Sequence, residues 1–143
     1  RVLFRSDCLG PLVGTYMKKI YCNFPNVKIY GDLCNNINYN NIDDFYKIIN
    51  KEKCYTVLID SALGENIGNI ILSSGKLKLG YGLYKNKIIT GDIIIKTVVG
   101  KNHYSIEKNF KELQCKSVED IAVLAKNVVD IISYYILTDK VYL

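Results

Sequence analysis

Tyr55-Thr-Val-Leu-Ile-Asp60-Ser-Ala-Leu-Gly64 decides how the rest of the chain is read. From Tyr55 to Ile59 the residues are β-branched or aromatic apart from Leu58. A run of that kind describes a strand buried on both faces, the type found inside parallel sheets, rather than a strand with one wet face. A carboxylate follows at once, so the expectation is a strand that ends on Asp60. In an open α/β sheet, ligands bind beyond the carboxyl ends of the strands, which makes Asp60 a candidate for chemistry. Gly64 and Gly68 then let the chain turn away without covering it.

Upstream of this strand, Leu12, Val13, Tyr16, Met17 and Ile20 recur at helical spacing behind Pro11, which suits a first helical turn because its missing N–H needs no partner there. Asn23-Phe-Pro-Asn26 breaks that helix, and Val27-Lys-Ile-Tyr30 reads as a short strand closed by Gly31. A second helix is expected from about Ile42, with Asn40 or Asn41 as cap and Asp43 and Asp44 complementing its dipole. Helix, strand, helix, strand is the rhythm of a parallel sheet with crossover helices. Such a unit starts with a strand, which here would lie ahead of Asp7. Downstream, Gly68–Ser73 and Thr90–Val99 read as two more strands, in part antiparallel, around the glycine-rich stretch Gly75–Lys87. The tail from Ser117 is the clearest helix, with Ser117 and Asp120 resembling a capping box and a broad apolar stripe from Val118 to Ile136.

With 143 residues, 49% of them apolar, the chain can bury a core as one domain, taken as 7–143. Arg1–Ser6 match one reading frame of a common sequencing-library adapter and are read as a non-native leader. The net charge of +5 is spread along the chain and interleaved with acids, so no basic stripe for nucleic acid is expected. No run approaches the length of a membrane span, and the most apolar helix carries Lys126 and Asp130, so no membrane partner is expected either. The five cysteines are odd in number and contain no CxxC, which fits a reducing cytosol better than a disulfide framework or a zinc site. The glycines form neither a phosphate loop nor a dinucleotide fingerprint.

Asp7 and Asp60 form the candidate pair. Each follows, or should follow, a strand, and adjacent strands would bring both to one crevice. Two close carboxylates share a proton, and such a pair can act as base and acid toward water attacking an amide. The competing reading makes Asp7 a loop residue bonding the helix start and Asp60 a turn former. His103 is the only histidine and lies in a turn; Cys8 at a helix start is a weaker candidate nucleophile. Asp7, Asp60 and His103 together would suit nickel, zinc or manganese, although nothing in their spacing demands a metal.

At Asp7-Cys-Leu-Gly-Pro-Leu-Val-Gly14 the chain resembles the YyaC-type sporulation proteins. The resemblance continues through Val27-Lys-Ile-Tyr-Gly31, Ile59-Asp-Ser-Ala-Leu-Gly64, Asn66-Ile-Gly68, Leu79-Gly-Tyr-Gly-Leu-Tyr-Lys85 and Thr90-Gly-Asp-Ile93. Ser61 stands where that pattern usually has Ala, Ala62 where it has Cys, and Leu79 where a Pro commonly precedes the glycine. The resemblance implies kinship with the germination protease and with the hydrogenase-maturation proteases. It implies an α/β three-layer sandwich with a mostly parallel central sheet, phosphorylase/hydrolase-like, whose first strand is missing here. It further implies a spore-associated endopeptidase with Asp7 and Asp60 catalytic, acting on small acid-soluble spore proteins in the cytoplasm of the mother cell or forespore of an endospore former. Gly64, Gly80, Gly82 and Lys85 are its candidate substrate contacts. No cofactor is required on that reading. The alternatives are a non-catalytic sporulation module that binds a protein partner, and a maturation protease using Ni or Zn.

Overall fold

The structure is a computed structural model, and it describes residues 5–80 and 87–139. A 3-10 turn, Arg5–Cys8, leads into α1 (Leu9–Ile20); α2 (Ile42–Glu52), β1 (Val57–Gly64), β2 (Ile70–Leu79), β3 (Lys87–Lys101), α3 (Ile106–Gln114) and α4 (Val118–Asp139) follow. The class is α/β, with an open three-stranded sheet in the order β1-β3-β2 among the described residues. β1 lies parallel to β3, pairing Val57 with Ile93 and Asp60 with Lys96, whereas β2 runs antiparallel to β3. The sheet is therefore mixed. The connection from Leu79 to Lys87 is too short for the crossover that a parallel pair needs, so β2 and β3 meet antiparallel.

Alternate residues of the strands feed two apolar clusters. On one face Ile95 and Val99 join Leu9, Val13 and Met17 of α1 and Ile121, Ala125, Val128, Val129 and Ile132 of α4, with Val57 and Ile59 packed alongside. On the other, Ile94, Leu77, Leu79 and Ile89 gather Leu58, Tyr39, Ile42 and Tyr46. Gly14 fixes how closely α1 approaches the loop after it, since a Cβ there would fall 1.8 Å from the Gly31 carbonyl oxygen. Gly31 itself has φ +85°, a conformation glycine adopts without strain.

Several expectations change. Val27–Tyr30 forms neither helix nor strand. β1 starts later than expected and continues past Asp60 to Gly64, carried by pairing with β3 through a bulge between Ala62 and Leu63, so the acid sits inside the strand rather than at its end. All eight β1 residues are half-buried, where the sequence described full burial, because β1 is an edge strand in this sheet. Asn41 precedes α2 but makes no side-chain cap; its Oδ1 accepts from the Asn38 amide at 2.7 Å. The Asp120 amide does donate to Ser117 Oγ at 3.1 Å, as the α4 capping pattern proposes. Within α4, Val118–Thr138 is long and apolar enough to cross a membrane by length and composition, which corrects the reading that no run approaches that length. Its inner stripe packs on α1 and the sheet, while Val123, Tyr134 and Leu137 on its outer face are exposed.

Candidate active site

β1 carries Asp60 beside Lys96 of β3, its partner in the parallel register. The start of α1 lies against the same strand, for a Cβ at Gly10 would come within 3.9 Å of the Ile59 carbonyl oxygen. Asp7, in the turn that enters α1, is exposed. Both acids line one cavity of about 1370 Å³ that runs along β1. Its walls are mostly apolar and include Ile59, Leu58, Ile42 and Phe45, with Lys96 among the charged residues that line it.

Burial pushes the Asp60 carboxyl up to about 6, against the opposing pull of Lys96 and of the Ser61 amide, and the Asp7 charge raises it further. The residue keeps some surface open to the cavity, yet protein surrounds the carboxyl closely enough for desolvation to dominate. Near neutral pH the site therefore holds one carboxyl close to its midpoint and a second acid within electrostatic reach. A carboxyl raised in this way keeps its proton well above the ordinary carboxylate range, as a general acid must.

The other sequence candidates divide. Gly64 and Gly80 line the same cavity. Gly82 and Lys85 lie outside the described residues. His103 is not brought to the two aspartates: its Nε2 lies 3.1 Å from Glu112 Oε2, in a cluster where Lys116 reaches Glu112 Oε1 at 2.7 Å. Among the described residues no three His, Cys, Asp or Glu side chains are grouped to hold a metal, so Asp7, Asp60 and His103 do not form the ligand set considered from sequence. Burial and the neighbouring Asp7 charge raise the Cys8 thiol, which is the opposite of an activated thiolate. Sequence reasoning missed Lys96. Its signal was present, a lone cation in the apolar run Ile93-Ile-Ile-Lys-Thr-Val-Val99, but only the strand register shows that it stands beside Asp60.

The family model described as a protein of unknown function (DUF1256) matches residues 3–131, and the chain belongs to that family. No curated protein and no solved structure matches it.

Proposed function

We propose that this chain is the α/β domain of a peptidase of the germination-protease kind, in which Asp7 and Asp60 share a proton and activate water against a peptide bond. One observation carries the reading: Asp60, raised to about 6 by burial, shares a cavity and an electrostatic coupling with Asp7. In the acid form of the pair, one carboxylate accepts a proton from water as it attacks the amide carbon, and the protonated partner donates to the leaving nitrogen. Each transfer contributes roughly 10²–10⁴-fold. Lys96 tunes the acid member, since an ammonium beside Asp60 limits how far burial can raise it. The sequence resemblance supports small acid-soluble spore proteins as substrates, in the cytoplasm of a sporulating cell. It also supports the finer architecture, a three-layer sandwich about a mostly parallel sheet.

The test is cleavage of small acid-soluble spore proteins followed by mass spectrometry across pH 4–8, beside Asp7→Asn and Asp60→Asn. Discrete products lost in both variants support the dyad. Well-folded protein that yields no cleavage, or cleavage unaffected by either change, overturns it and leaves a partner-binding module as the reading to pursue.

A further inference from the structure

α4 is more apolar than one packed face requires. Of its most apolar stretch only 28% is buried, and Val123, Tyr134 and Leu137 are 61%, 72% and 55% exposed. With Lys126 and Asp130 they recur at intervals of three, four, four and three residues, so the five share one stripe along the outside of the helix. α1 runs beside this stripe. Its Tyr16 and Ile20, the latter 51% exposed, form with Val123 and Val129 an open groove of about 520 Å³ between the two helices, and Lys126 and Asp130 stand on the same wall.

Lys126 and Asp130 lie one turn apart, carry opposite charges and are both exposed. Among the described residues neither forms an ion pair, with the other or elsewhere. Glu107 with Lys111 and Glu112 with Lys116, at the same spacing, do close, at 3.2 and 2.7 Å. The difference is one of order: acid ahead of base suits a helix, and base ahead of acid suits it less. The stripe therefore carries an unmatched cation and an unmatched anion at its centre. Towards its start it has the small Val123 beside the groove, and towards its end the large Tyr134 and Leu137. Turned end for end, such a stripe is its own complement.

We propose that this face is an interface between two copies of the chain, α4 packed antiparallel on α4 about a two-fold axis at the height of Val128. That operation sets Lys126 of each copy beside Asp130 of the other, so both charges are matched and the contact forms twice. Residue 134 then falls at the height of residue 122, which brings Tyr134 of one copy over the groove of the other beside Ala122 and Val123. Intervals of three and four are those of helices that pack nearly antiparallel with their seams facing. An apolar partner of another kind would leave two charges buried and unmatched, and a lipid surface would have to accept Asp130 along with Lys126. A second copy supplies both countercharges at the required spacing. Charges at the centre of a seam fix its register at the expense of affinity, so the dimer is a weak one.

Sedimentation equilibrium of this chain over roughly 1–500 μM should show a monomer–dimer equilibrium with a dissociation constant in the micromolar range. Lys126→Asp and Asp130→Lys each set like charges against each other across the axis, and each variant alone should associate about tenfold or more weakly than the parent. Mixed in equal amounts, the two variants should pair with each other about as tightly as the parent pairs with itself, because every acid of one again faces a base of the other. Both substitutions fall at exposed positions, so the fold should be retained, which circular dichroism checks. A parent that stays monomeric throughout overturns the proposal. So do single variants that associate as the parent does, and folded single variants that fail to pair on mixing. A monomeric chain that binds phosphatidylglycerol vesicles would assign the face to a lipid surface and also overturn it. The readout passes through neither Asp7 nor Asp60, so it stands or fails apart from the peptidase reading.

Discussion

Asp60 and Glu112 are displaced in opposite directions, and together they set the expected pH dependence of stability. Asp60 binds its proton more tightly folded than unfolded, with a folded value of about 6 against an ordinary 3.8. Its contribution is therefore fully present below about pH 4 and is lost as pH rises through 6. Glu112 is held down to about 2, first by Lys116, then by His103 and the Lys101 amide. Its contribution is present above the ordinary carboxylate range and is lost as pH falls through 2. Urea unfolding from pH 3 to 8 should thus show a maximum near pH 4–5. In Asp60→Asn the decline between pH 4 and 6 should vanish, leaving the variant more stable at pH 7 by on the order of 2 kcal/mol. A wild-type profile flat from pH 4 to 7 would contradict the buried carboxyl. Replacing Lys96 with Met removes the nearest opposing charge, so the Asp60 carboxyl, followed by carbon-13 NMR, should titrate higher than in the parent. Much of the site was legible from residue type: an acid after a β-branched run, and an acid before Pro11. Lys96 was not, because a sequence shows a cation in a strand but not which neighbour the register sets beside it.

Single elements respond to how closely they are packed. Gly14 has no room for a methyl group, with the Gly31 carbonyl 1.8 Å from where a Cβ would lie, and both partners are backbone. Gly14→Ala should force α1 away from the loop at Gly31 and destabilise the fold by about 3 kcal/mol or more, measurable by denaturant titration. On α4 the effect should follow the face. Ile121 is 1% exposed in the core, and Ile121→Ala is expected to cost about 2–5 kcal/mol. Val123, 61% exposed on the same helix, should tolerate alanine with a change within about 0.5 kcal/mol. Helices α1, α2 and α4 could be read from sequence because their apolar periodicity is long and their starts are punctuated by Pro11, Asn41 and Ser117. α3 could not. It is short, with only Asn109 and Leu113 buried, and Asn109 is held by polar contacts, its Oδ1 accepting from the His103 amide and its Nδ2 donating to Asn102 Oδ1. The strand expected at Val27–Tyr30 has the right residue types and lacks a paired neighbour, and strand formation depends on that neighbour more than on local preference.

At the scale of the whole molecule, stability is unevenly distributed. α1, α4 and β3 share one continuous apolar cluster, while α2 adds only Ile42 and Tyr46, part-buried, to the smaller one. Beyond that, α2 is held by the Thr90 amide donating to Tyr46 Oη at 3.1 Å, by an edge contact of Phe45 with Tyr30, and by ion pairs near its ends. Lys87 reaches Asp43 at 2.8 Å, and Lys28 reaches Glu52 at 3.0 Å, contacts that solvent weakens. Local opening draws on buried apolar contact, so α2 and the cavity edge of β1 should open well before the α1–α4–β3 core. Exchange mass spectrometry on this chain is expected to show α2 peptides deuterated within seconds while those from the centre of α4 remain protected far longer. Raising the salt concentration should loosen the ends of α2 further, because the links there are ionic, and leave α4 unchanged. If α2 instead exchanged in step with α4, the domain would unfold as one cooperative body, and the cavity along β1 could not be the weak seam of the fold. The candidate dyad spans that seam, with Asp60 on β1 and Asp7 at the entry to α1. Opening of the seam rehydrates Asp60, so its titration midpoint should fall from about 6 toward the ordinary carboxylate range under conditions that loosen α2 and the β1 edge.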